Sequence, residues 1–130
     1  MTKKELSQLY WLGREIEEQQ RRLAELENLA TSCTSRITGM PHGTGVSDKL
    51  AGYVAEIADL RSLIDLNLKK CFYELNRLTR YINGIEDSYI RQILSLRYIN
   101  GISWVRIAFT IGGNTADSVR KAHDRFLAEN

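Results

Sequence analysis

Residues 85–129 read IEDSYIRQILSLRYINGISWVRIAFTIGGNTADSVRKAHDRFLAE, and the pattern of this stretch decides the fold. Three apolar-periodic segments are separated by breakers. In the first, Ile90, Ile93, Leu94, Leu96, Arg97 and Tyr98 keep helical spacing up to Asn100-Gly101, a C-terminal stop. Ser103 is placed to cap a short second helix, SWVRIAFTI, in which Trp104, Ile107, Ala108 and Ile111 fall at i, i+3, i+4 and i+7. Gly112-Gly113-Asn114 supplies a tight turn, where glycine permits the positive φ that a sharp change of axis needs. Asn114 or Thr115 then caps a third helix. Its Val119, Ala122, Phe126 and Leu127 point inward, and Ser118, Arg120, Lys121 and Arg125 lie on its other faces. Two short helices joined by a glycine turn predict a helix-turn-helix arrangement.

Upstream, the spacing predicts two long helices. From Lys3 to about Ala30, Leu9, Leu12, Ile16, Gln19, Leu23, Leu26 and Ala30 step alternately by three and four. That is a heptad seam broken once, by Gln19. Glu15, Glu17, Glu18, Arg21, Arg22 and Glu25 form the solvated side. Thr31-Ser-Cys-Thr-Ser and Gly39-Met-Pro-His-Gly-Thr-Gly are turn-forming, so a loop is expected over 32–47. Ser47 or Asp48 then opens the longest helix, with Leu50, Val54, Ile57, Arg61, Ile64, Leu68, Cys71, Leu75, Leu78 and Ile82 as its inward row. Asn83-Gly84 ends it. A helix of about 36 residues is a rod on the order of 54 Å. Leu60, Leu63, Phe72 and Tyr73 widen the stripe past what one partner helix covers, so the rod is expected to meet both the first helix and a second copy of the chain, as a homodimer. The expected fold is all-α: a long, coiled-coil-like antiparallel helical hairpin over 1–84, then a small helix-turn-helix unit over 85–130.

Composition narrows the function. Of 130 residues, 43% are hydrophobic, enough for a core, while 8% aromatic content and a single proline favour helices throughout. Net charge is only +2, and from Glu86 onward six Lys/Arg stand against five acids, leaving +1. Cys33 and Cys71 form neither a disulfide framework nor a metal site, and Cys71 lies on the apolar stripe. His42 and His123 have no partners at metal-ligand spacing, and His42-Gly-Thr-Gly lacks the ending and the preceding strand of a phosphate loop. No nucleophile with its base and no carboxylate pair stands out, so no enzyme, no cofactor and no metal are expected. Met1-Thr-Lys-Lys-Glu does not read as a signal peptide, and no apolar run reaches the roughly 20 residues of a membrane span. A cytoplasmic protein without membrane contact is expected.

A helix-turn-helix suits double-stranded DNA for dimensional reasons. A major groove roughly 12 Å wide accepts one helix, and side chains near that helix's N-terminus reach base edges. Arg120 and Lys121 can bond guanine edges or phosphates, and Thr115 or Ser118 can hold a phosphate through hydroxyl and backbone N–H. Affinity grows with the number of phosphates neutralised. A near-neutral unit is therefore expected to bind DNA weakly unless a dimer or a second protein helps.

The segment Leu94-Ser-Leu-Arg-Tyr-Ile-Asn-Gly-Ile-Ser-Trp-Val-Arg-Ile-Ala resembles region four of bacterial sigma factors, where an aromatic-ended helix, a Gly-x-Ser-aromatic turn and an Ile-Ala pair recur. Val119 matches that family's valine in the recognition helix. Taken whole, with the loop from Gly39, the chain looks like a family of sigma-like late-gene transcription regulators from phages and prophages of Gram-positive bacteria. The sigma-like motif covers about 35 residues, and the whole-chain likeness covers most of the length. Two departures bear on promoter specificity: Arg106 stands where the sigma pattern has glutamate, and the turn Gly112-Gly113-Asn114-Thr115 is one residue longer. The resemblance implies a DNA-binding transcription regulator with a recognition helix over 115–128 and bacterial RNA polymerase as partner. Ser103 and Arg106 would sit on phosphates. Thr115, Ala116, Asp117, Ser118, Arg120, Lys121 and Arg125 would lie on or near the groove face. The alternatives are a DNA-packaging subunit of the small-terminase type, and an adaptor or anti-sigma-like module that binds protein instead of DNA.

Overall fold

The structure, a computed structural model, describes residues 1–37 and 44–130, with side chains given outside 34–47. Every regular element among them is a helix, so the fold is all-α: α1 (Lys3–Leu6), α2 (Gln8–Ile37), α3 (Thr44–Asn83), α4 (Ser88–Leu94), a π-helical turn (Ser95–Ile99), α5 (Trp104–Ile111) and α6 (Ala116–Glu129). None of these helices is long and apolar enough to cross a membrane. Packing divides the chain into two units, Arg14–Lys69 and Met1–Gly13 with Lys70–Asn130. The division expected from sequence, 1–84 against 85–130, cuts elsewhere. Leu6, Leu78 and Ile82 share one core cluster with Ile90, Leu94 and Tyr98, which draws α1 and the end of α3 into the C-terminal unit.

In Arg14–Lys69, α2 lays down its heptad seam as spaced in the sequence: Ile16 and Leu26 are buried, and Gln19, Leu23 and Ala30 are half-buried. The helix does not stop at Ala30. It continues to Ile37, and Cys33 is buried at the next seam position. Thr31 tolerates the helix because its hydroxyl donates to the Glu27 carbonyl at 2.8 Å, the back-bond open to threonine mid-helix. Since α2 runs to Ile37 and α3 already begins at Thr44, helix takes up 32–37 and 44–47 of the loop expected over 32–47, and 38–43 lie outside the described residues.

The seam of α3 corrects the sequence reading by one position in every second step. Leu50, Ile57 and Ile64 are inward as expected, but Val54, Arg61 and Leu68 are exposed. Tyr53, Leu60 and Asn67 take their places. The reason is the facing helix. Asn67 is buried, and its amide donates to Gln19 Oε1 at 3.0 Å, so the one polar break in the α2 seam meets a polar partner instead of a leucine. Arg61, displaced outward, reaches Glu27 at 3.0 Å. Gln19 with Asn67 and Glu27 with Arg61 run in opposite chain directions, which makes the pair antiparallel.

The other unit holds the C-terminal helices. A capping box, Thr2 with Glu5, starts α1, and Asp87 caps α4 by accepting from the Tyr89 N–H. The π-helical turn was not legible in the pattern. Asn100 N–H donates to the Ser95 carbonyl, widening the last turn, and Gly101 at φ 69° stops the helix while Ile102 N–H closes back to the Leu96 carbonyl. Ile93, Ile107, Ala108 and Val119 then bind α4, α5 and α6 into one core. Full burial of an isoleucine or leucine here stabilises by about 1.5–3 kcal/mol relative to exposure.

Candidate nucleic-acid interface

Two helices and the turn between them set the geometry of the site. Ser103 caps α5 by accepting from the Arg106 N–H at 3.3 Å. Gly112, at φ 79° and ψ 152°, ends α5 in a backbone region essentially reserved for glycine, and Gly113 follows at φ 68°. Of the two candidate caps, Thr115 is the one that caps α6, accepting from the Ser118 N–H at 3.1 Å. Asn114 acts instead as a latch. Its amide donates to the Gly112 carbonyl at 2.9 Å, and its Oδ1 accepts from the Tyr89 hydroxyl at 3.0 Å and the Ser118 hydroxyl at 3.1 Å. Tyr89 belongs to α4, so the turn is fixed to the helix behind it.

Most of the candidate contacts stand at the surface. Ser103, Arg106, Thr115, Asp117, Ser118, Arg120, Lys121 and Arg125 are exposed, and Ala116 is half-buried. Val119 is fully buried, and Ala122, Phe126 and Leu127 are half-buried, on the inward side expected for them. The cations are not equivalent. Arg120 is held by Asp117 at 3.1 Å, whereas Lys121, Arg125 and Arg106 form no ion pair among the described residues. The Ser118 hydroxyl is already engaged by Asn114. Asp124, which the sequence reading did not place in the site, is also exposed on α6, so the outward side carries two carboxylates among its three cations.

His123 is the residue that helical spacing missed, because it lies beside Ala122 on the inward side and reads as polar. It is fully buried. Its Nδ1 pairs with Asp124 Oδ1 at 2.9 Å and its Nε2 with the Tyr98 hydroxyl, while Trp104 packs edge-on at 4.8 Å. Burial is the main cause that holds the imidazole below its ordinary pKa, opposed by the Asp124 carboxylate and reinforced by Lys3 and Arg97. The neutral ring therefore donates from Nδ1 to Asp124 and accepts at Nε2 from Tyr98. Tyr98 is protonated to match, since burial pushes its hydroxyl up to about 12. Arg97 lies over the Trp104 ring, 4.4 Å from its centroid, and donates to the Ile102 carbonyl at 3.2 Å. This network ties α6 to the π-helical turn and to the start of α5.

One feature of α5 points away from nucleic acid. Val105 is 68% and Phe109 90% exposed, one helical turn apart on the outer face. Comparison with models of protein families, with curated proteins and with solved structures finds no match to this chain.

Proposed function

We propose that the chain is a DNA-binding transcription regulator of phage type, acting in the cytoplasm with bacterial RNA polymerase and without catalytic activity. In this reading α6 enters the major groove as the recognition helix. Lys121 and Arg125 meet phosphates or base edges, Arg120 does so on release from Asp117, and the exposed start of α5 at Ser103 and Arg106 rests on the backbone. The observation that carries the reading is the outward side of α6: its cations are solvent-accessible, while Val119, His123 and the Asn114 latch fix the helix from behind. Two chains pairing through α3 would present two such helices to one duplex, as symmetric half-sites require.

The first experiment is a gel shift at about 50 mM salt, where weak phosphate contacts are strongest. Arg120→Ala with Lys121→Ala should weaken the shift by roughly tenfold or more while leaving circular dichroism and oligomer size unchanged. A shift that survives both substitutions removes these residues from the interface.

A second reading, a module that binds protein in place of DNA, is favoured by Val105 and Phe109. Solvent-facing aliphatic and aromatic side chains on one helix are the usual mark of a protein contact. Capture of purified RNA polymerase by the chain, lost on Phe109→Ser, together with no DNA shift at low salt, would select it.

A further inference from the structure

Beside the start of α5, but outside the groove-facing side of α6, the C-terminal unit contains a cleft of about 350 Å³. Lys3, Ser7, Tyr10 and Trp11 form one wall, and Arg97 and Ser103 stand on the other, with no carboxylate in the lining. The two aromatic rings are in edge-to-face contact with centroids 5.1 Å apart, yet Tyr10 remains 51% and Trp11 61% exposed. Neither ring belongs to the heptad seam, so packing of the helices does not require them. Arg97 is oriented in advance: Trp104 covers one face of its guanidinium and the Ile102 carbonyl takes one N–H, leaving further donors. Lys3 and Arg97 both line this one cleft, so two cations face the same space.

We propose that this cleft binds a nucleotide unit, with the phosphate between Lys3 and Arg97 and the base against Trp11 and Tyr10. A cleft of this volume is in the range of small-molecule sites. Paired cations without a carboxylate select an anion, and exposed flat rings select a planar group beside it. One ligand chemistry carries both features. It can come as a free nucleotide or as one residue of a single strand. The proposal does not depend on α6 entering a groove.

Calorimetric titration of the full chain tests it, with adenosine monophosphate, inorganic phosphate and a single-stranded oligodeoxyadenylate as separate probes. Saturable binding of the monophosphate, the strand or both is expected, weakened by roughly tenfold in Lys3→Ala and again in Trp11→Ala, each with unchanged circular dichroism. Preference for the strand identifies that source, and preference for the monophosphate identifies the other. Arg120→Ala with Lys121→Ala should leave the titration unchanged even where it removes duplex binding, which separates the two sites. The proposal is overturned if neither nucleotide probe binds, if inorganic phosphate binds as well as they do, or if both variants bind like the parent chain.

Discussion

His123 couples the surface of α6 to the interior through one side chain. The fold holds its ring neutral, below the ordinary value, whereas the unfolded chain protonates it near pH 6.5. At pH above that value both states are neutral and the residue adds no pH dependence. As pH falls through it, the unfolded chain takes up a proton that the folded chain refuses, so stability should decline, by at most the one-proton slope of about 1.4 kcal/mol per pH unit. Urea midpoints measured from neutral pH downward check this against His123→Gln. The parent chain should lose stability below about pH 6.5 and the variant should lose less; parallel curves would show that the ring is not held neutral by the fold. This network was invisible in the sequence because periodicity marks apolar positions and a buried histidine breaks the pattern it completes. Val119 and Ile107, by contrast, were legible, since their spacing alone sends them inward.

The pairing of α2 with α3 shows where helical periodicity runs out. Leu50, Ile57, Ile64, Cys71 and Leu78 fix the middle of the α3 stripe, but a seven-residue repeat leaves the second row open to either side. Hydrophobicity favours Val54 and Leu68; the fold chooses Tyr53 and Asn67, the latter because Gln19 lies opposite. Removing the partner should expose that dependence. Asn67→Leu is expected to destabilise by about 1 kcal/mol, as Gln19 loses its hydrogen bond in a half-buried position. Gln19→Leu combined with Asn67→Leu should recover much of the loss, and a double-mutant cycle in urea measures the coupling. Strictly additive losses would show that the pair contributes nothing. The same logic explains the misplaced end of α2. Thr31-Ser-Cys-Thr-Ser has turn-forming composition, yet Thr31 is accommodated by its local back-bond and the buried Cys33 carries the seam onward, and the burial of Cys33 is not visible without the facing helix. The glycine stops at Gly101 and Gly112 needed no such context, because positive φ is a local property.

The displaced α3 row leaves Val54 and Leu68 exposed on one flank. Pairing of two chains through this flank is the expected use of it, so light scattering should return twice the chain mass, and Val54→Lys with Leu68→Lys should reduce it to that of one chain. A single-chain mass for the parent would remove the dimer, and a ring of many copies would instead favour the packaging-subunit alternative. An all-α chain was legible from composition and spacing, but the DNA reading rests chiefly on α6, whose outward charge is mixed. Selection of bound fragments from phage and host genomic DNA at low salt addresses that reading most directly. The parent chain should enrich sequences upstream of late genes, and Arg120→Ala with Lys121→Ala should not. No enrichment by the parent chain, or equal enrichment by the variant, would contradict that reading.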